Sequence, residues 1–161
     1  RCTLKTMPRR DQPRRAIAED AADIARLFTD FNEEFDEPTP EVDVAAGRVA
    51  EHIDRGHSTF LVIGDGPDGF AQLRYRASLY AEGTEAHLQE LYVVPARRGR
   101  GLGRALLEAA MEEARAAGAG FIDLGTSEDD VAARRLYENA GFTNREGEPD
   151  GPVMHVYERE L

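Results

Sequence analysis

The chain has 161 residues, 41% of them hydrophobic and 32% charged, a balance that suits one compact domain with a real core. Acids outnumber bases 31 to 20, and the net charge of −11 argues against nucleic-acid binding as the main business. No apolar run nears the ~20 residues of a membrane span, no signal-peptide pattern appears, and the single cysteine, Cys2, leaves no internal disulfide and no cysteine zinc site; a cytoplasmic protein with no membrane or nucleic-acid partner is expected.

Residues 1–13 carry two prolines and no periodicity and read as a flexible N-terminal tail, leaving 14–161 as one domain. Arg14 to Ala18 reads as a short strand. A helix starts at Glu19-Asp20, with Ala21, Ile24, Leu27, Phe28 and Phe31 at helical spacing, and is broken by Pro38 and Pro40. From Glu19 to Glu37 it holds eight carboxylates and one base, Arg26. A second helix, Glu41 to Asp54, ends at Gly56. Ser58 to Ile63 is a β-branched and apolar strand, followed by a glycine-rich hairpin loop. In the next strand Ala71, Leu73, Tyr75 and Ala77 alternate with Gln72, Arg74 and Arg76. A long strand runs from about Ala86 to Val94.

Pro95 stops that strand. Ala96-Arg97-Arg98-Gly99-Arg100-Gly101-Leu102-Gly103-Arg104 then leads into a helix whose apolar side is Leu102, Leu106, Leu107, Ala110, Met111 and Ala114. A helix start leaves about four N–H groups unpartnered and carries partial positive charge. Glycines let a bulky anion approach those groups, and four arginines crowd the same stretch. This loop is built to hold a phosphate or pyrophosphate. It is no Walker loop, and Gly99, Gly101 and Gly103 give Gly-x-Gly-x-Gly rather than the dinucleotide fingerprint Gly-x-Gly-x-x-Gly. Phe121 to Gly125 is a short strand. Val131 to Ala140 is a helix with an acidic start, and two final strands are expected at 142–145 and 152–158. His52, His57 and His155 lack metal-ligand spacing, and no metal is expected. There is no Gly-x-Ser-x-Gly elbow.

Arg98-x-x-Gly101-x-Gly103 after Leu91-x-Val93-x-Pro95 resembles the coenzyme A pyrophosphate loop of the GNAT (Gcn5-related) N-acetyltransferase superfamily. Together with later matches, the resemblance covers roughly residues 14–160. It implies an α/β (α+β) fold: a mixed, mostly antiparallel, twisted sheet of six to seven strands with helices on both faces, and strands four and five splayed around the cofactor. It implies acetyl-CoA as co-substrate and direct transfer of the acetyl group to a primary amine in a ternary complex. Arg98, Gly99, Arg100, Gly101, Gly103 and Arg104 would hold the pyrophosphate. Val93 and Val94 would offer backbone hydrogen bonds to the pantetheine arm. Leu136-Tyr137-Glu138-x-x-Gly141-Phe142 looks like the family's tyrosine-bearing helix, which makes Tyr137 the proton donor to the leaving thiolate. An asparagine often found seven residues earlier is here Asp130, which cannot donate and would repel phosphate; it also suits a helix start.

The general base is open between His87, Glu90 and a water relay. In strict alternation His87 and Gln89 share a face with Val93, and Glu90 lies on the other with Tyr92, unless a bulge resets the pattern. Phe28 to Asp36 offers aromatic rings and carboxylates for a cationic amine, or else core and solvated surface. The acceptor is a small-molecule amine or a peptide or protein amine. In similar proteins homodimers form through terminal strands, and Val153 to Tyr157 would supply such an edge. Two rivals stand beside the enzyme: a coenzyme A-binding regulatory or interaction module without catalysis, and an acidic protein-binding domain whose glycine loop is only a helix cap.

Overall fold

The computed structural model describes residues 11–80 and 82–159. Residues 1–10 of the expected tail, Cys2 among them, lie outside the described residues. The chain forms two compact units, one up to Leu124 and one from Gly125 onward, taken here in turn.

In the first unit, five strands form one sheet in the order of the chain: β1 Arg14–Arg15, β2 Thr59–Ile63, β3 Gly69–Ala77, β4 Thr84–Val93 and β5 Ala119–Leu124. The first three pairings are antiparallel and β4 with β5 is parallel. Such a parallel step needs a crossover, and the helix α3, Leu102–Ala116, supplies it. Two further helices, α1 Ala21–Glu33 and α2 Val42–Asp54, connect β1 to β2. The described residues thus hold five strands, not six to seven.

The first helix is shorter than its acidic run suggested. A single 3₁₀ turn, Ala18–Asp20, precedes α1, and the helix ends at Glu33. Asp36 then takes a left-handed backbone (φ 55°), four residues before Pro40. Asp20 ties this start to β1: its carboxylate accepts from both terminal nitrogens of Arg14 (2.7 and 2.6 Å) and from the Ile17 N–H (2.9 Å). The Arg14 hydrogen bonds hold its pKa below the ordinary value despite burial.

The core follows strand alternation. Phe60, Val62, Phe70 and Tyr92 cluster with Ile24 and Leu27 of α1, and Phe28 and Phe31 pack against the cluster. The intervening residues, Leu61, Ile63, Ala71, Leu73 and Leu88, are buried on the face that carries α3, whose Leu102, Leu106, Leu107 and Ala110 are fully buried. Removing such a side chain, as in Leu106→Ala, costs about 2–5 kcal/mol.

Two features of β4 set up the site. Its ladder with β3 runs from Thr84 to Val93, but its ladder with β5 ends at Leu88↔Leu124. The last five residues of β4 therefore have no β5 partner. Its pairing with β3 also slips: Leu73 faces Leu88 while Gln72 faces Glu90, so Gln89 is an inserted bulge residue.

The second unit carries helix α4, Val131–Asn139, closed by Gly141 at φ 91°. The two strands expected at 142–145 and 152–158 reduce to one isolated bridge, Arg145↔Val153. Pro149 and Pro152 cannot donate to a ladder, and glycines at 147 and 151 favour turns over extension.

Candidate active site

The open edge of β4 begins where the β5 ladder stops. The Val94 N–H donates to the Asp68 carbonyl on the β3 side (2.9 Å). In an antiparallel pair, hydrogen-bonded and non-hydrogen-bonded positions alternate. Tyr92 and Glu90 therefore also turn their amides toward β3, whereas Val93 and Leu91 turn theirs toward the unpaired side. Val93 and Val94 thus differ in kind. Val93 presents an N–H along the open edge, and its carbonyl accepts from Arg98 Nε (2.8 Å). Val94 has its N–H taken by Asp68 and its carbonyl taken by the Arg97 N–H (2.9 Å).

That edge leads straight into the start of α3. Pro95–Arg97 make one 3₁₀ turn, and Gly99 (φ 72°) and Gly101 (φ 85°) then take left-handed backbones. Gly101 is the N-cap, and no side chain caps the helix. A Cβ on Gly99 or Gly101 would meet nothing within 4 Å, so these glycines serve backbone conformation and leave the space beside it clear. The first amides of α3, from Leu102 through Gly103 to Arg104, therefore have no side-chain acceptor of their own.

The arginines are less uniform than the sequence suggested. Arg97 is spent on Asp11 (2.6 Å) and Asp68 (3.3 Å). Arg98 grips Glu34 at the end of α1 through Nη2 (3.0 and 2.8 Å) and lies over the Tyr92 ring, 5.4 Å from its centre. Arg104 pairs with Glu108 one turn on, at the surface (2.8 Å). Among the described residues Arg100 makes no ion pair, and it is exposed. Arg98 acts as a brace between the loop, β4 and α1, while at the helix start Arg104 is shared with Glu108 and Arg100 makes no ion pair among the described residues.

Beside the open edge lies the face of β4 shared by its polar residues. The bulge at Gln89 resets the alternation: His87, facing Arg74, and Glu90, facing Gln72, come to the same face as Tyr92. His87 sits where β4 is still zipped to β5, opposite Asp123, whose carboxylate lies 2.5 Å from His87 Nδ1. Asp123 also accepts from Arg76 Nη2 (2.6 Å), and Arg76 Nε donates to Glu85 (2.8 Å). Burial acts to raise the Asp123 pKa, but the bonds from His87 and Arg76 outweigh it and hold the group below its ordinary value. An ionised carboxylate only accepts, so His87 donates through Nδ1. Glu90 lies two residues beyond the end of the β5 ladder. Burial pushes its carboxyl up to about 7, partly offset by a hydrogen bond from Gln89. Tyr92, beyond it, donates to Glu34 (2.9 Å) and is pushed up to about 12 by burial and then by that bond.

In the second unit, Tyr137 is half-buried on α4 with its ring edge-on to Phe142 (6.0 Å between centres), and the Phe142 N–H returns to the Tyr137 carbonyl (3.0 Å). Asp130 is the N-cap of α4; its Oδ1 accepts from the Ala133 N–H (2.9 Å). Among the described residues no cluster of His, Cys, Asp or Glu could hold a metal ion, and no helix is long and apolar enough to cross a membrane. Sequence reasoning missed the Glu34–Tyr92–Arg98 brace, because Glu34 is one acid among eight. It also missed Asp123, whose one signal is a carboxylate in the middle of the apolar strand Phe121-Ile122-Asp123-Leu124.

An antiparallel meander that ends in a parallel pair, its fourth strand running five residues past that pairing toward a glycine-led helix, is the architecture of an acetyltransferase of the GNAT type. The model of the acetyltransferase (GNAT) family matches residues 23–142, and the chain belongs to that family. The uncharacterized N-acetyltransferase YhfO of Bacillus subtilis is 32% identical over 136 residues, covering 83% of this chain and 91% of YhfO. A solved structure from Arthrobacter sp. FB24, carrying a provisional acetyltransferase description, superposes with a TM-score of 0.86 at 40% identity, covering 98% of this chain and all of that one. The mycothiol acetyltransferase of Beutenbergia cavernae is 40% identical over 70 residues, 42% of this chain. The match spans only 24% of that relative's length. Family members generally use acetyl-CoA.

Proposed function

We propose that residues 14–161 act as one acetyl-CoA-dependent N-acetyltransferase domain that acetylates a primary amine directly, with both substrates bound together. The observation that carries this reading is the continuity of the open β4 edge with the uncapped start of α3. That surface fits a long ligand with an amide-bearing arm and a diphosphate. The Val93 N–H would bind the arm. The amides from Gly99 to Arg104, with the Arg100 and Arg104 guanidinium groups, would bind the diphosphate. Arg98 contributes by fixing the loop against Glu34 rather than by a free charge. When bound, the coenzyme supplies an acetyl group activated as a thioester.

The chain's own residues then move protons. Glu90 is the general base: it lies on the polar face just past the end of the β5 ladder, and a carboxyl titrating near 7 is half ionised at neutral pH, where a base works best. It takes the proton that the amine nitrogen loses as the new C–N bond forms. Tyr137 gives a proton to the departing sulfur as the C–S bond breaks; this role is carried over from the match of its helix to the family pattern. His87 is bound to Asp123 where β4 is still paired with β5 and is assigned a positioning role. A desolvated, titratable Glu90 favours catalysis over a purely coenzyme-binding module.

The test has two stages. Acetyl-CoA at millimolar concentration should raise the melting temperature by mass action, and thiol release should then follow with at least one member of an amine panel. A thermal shift without any thiol release would favour the binding module, and no shift would reject both.

A further inference from the structure

We infer that the acceptor carries a carboxylate next to its amine, and that Arg74 is the residue that seats it. This inference rests on the acetyl-transfer reading above. A cavity of about 220 Å³ is lined by Arg74, Arg76 and His87, with Tyr75 between the two arginines. It lies on the polar face of the β3–β4 ladder, away from the diphosphate loop. Six residues of strand, about 20 Å, separate His87 from Val93.

The charges in the cavity are not equivalent. Arg76 is neutralised by Glu85 and Asp123, and His87 is fixed to Asp123. Among the described residues Arg74 has no acid partner, and its one hydrogen bond is a long one, Nη1 to the Gln89 side-chain oxygen at 3.5 Å. Of the charges lining the cavity, Arg74 is the one whose guanidinium is exposed and without an acid among the described residues, open to a ligand. Its planar fork matches a carboxylate.

The bulge sets the spacing to Glu90. Arg74 faces His87 and Gln72 faces Glu90 across the same ladder, so Arg74 and Glu90 are diagonal neighbours on one face, about 7–8 Å apart at the backbone. Gln89, the bulge residue next to Glu90 in the chain, accepts from Arg74 on the other strand. A molecule with an amine and a carboxylate on one or two carbons spans that gap, its ammonium toward Glu90 and its carboxylate toward Arg74. The acceptor class is therefore the amino acids, not polyamines or aminoglycosides.

The experiment compares pairs. Each L-amino acid of a panel is assayed against its decarboxylated amine, with acetyl-CoA fixed and thiol release recorded, together with a polyamine and an aminoglycoside. The expected result is a kcat/KM ratio favouring the carboxylate-bearing member. Arg74→Gln should lower that ratio about 10- to 100-fold, mainly through KM, by loss of one charge-assisted fork; Arg74→Lys should lower it less. Faster transfer to the decarboxylated member, or to the polyamine or aminoglycoside alone, overturns the inference. If acetyl-CoA binds but nothing is acetylated, the transfer reading fails separately, and the same pairs are titrated by calorimetry. Carboxylate-dependent binding that Arg74→Gln weakens keeps the seat; no binding of any amino acid, or binding blind to the carboxylate, overturns it.

Discussion

Two helices of this chain begin in opposite ways. α4 begins at Asp130, whose carboxylate accepts the Ala133 amide, so the protein satisfies its own helix end. α3 begins at Gly101, in a left-handed backbone, with no side-chain cap and open space beside it. Both starts have the same surplus of N–H groups and the same sign of partial charge. A capped end is a structural solution. An end left open beside the unpaired end of β4, with the cation of Arg100, unpaired among the described residues, at hand, is a binding solution.

The largest expected effect comes from making α3 like α4. Gly101→Asp places a carboxylate at the N-cap, and acetyl-CoA should bind at least about 100-fold more weakly, since like charge at an anion site costs several kcal/mol. Gly101→Asn, neutral and tolerant of the left-handed backbone, should lose far less. Calorimetric titration with acetyl-CoA checks both, and equal losses would mean that shape, not charge, matters there.

Next is the base. Glu90→Gln should lower kcat/KM about 100- to 10,000-fold, as removal of a general base does. In the wild type kcat/KM should rise with pH through about 7, and in the variant that limb should vanish. Stability moves the other way. The folded protein holds the Glu90 proton up to about 7 and the unfolded chain only to its ordinary 4.5. The folded state therefore binds more protons in that window and loses stability as pH rises through it. Glu90→Gln should melt higher than wild type at pH 8, with the gain gone at pH 4. A variant that loses both activity and stability at pH 8 would make Glu90 a structural residue.

Tyr137→Phe should lower kcat about 100-fold while the acetyl-CoA Kd stays within about twofold. Equal losses of turnover and affinity would count against the acid role. The smallest effect belongs to the capped helix: Asp130→Ala should cost about 1 kcal/mol in a melting experiment and leave the acetyl-CoA Kd unchanged. A weakened Kd there would turn a structural cap into a coenzyme contact.

Much of this architecture was legible in the residues. Alternation in Ala71 to Ala77 and heptad-like spacing in Leu102 to Ala114 depend on periods that tertiary contacts reinforce. Gly99, Gly101 and Gly103 after a proline-stopped strand marked the loop. What stayed hidden depends on partners distant in sequence. Nothing near Gln89 signals a bulge, because the slip is a property of the ladder with β3; yet the bulge brings His87 and Glu90 to one face. Four arginines crowd the loop in the sequence, and that Arg97 pairs with Asp11 and Asp68 and Arg98 with Glu34 depends on acids far away in the chain. The final strands reduce to one bridge because the largely apolar run from Val153 to Tyr157 promises a ladder that the prolines and glycines before it do not support.

The central claim is that the open start of α3, continuous with the unpaired edge of β4, holds the coenzyme. A crystal structure grown with acetyl-CoA tests it most directly. Diphosphate oxygens within hydrogen-bonding distance of the amides between Gly99 and Ala105, with the arm against Val93, are the predicted result. A diphosphate seated at another place, or an unpaired β4 edge that stays empty at saturating coenzyme, would contradict it.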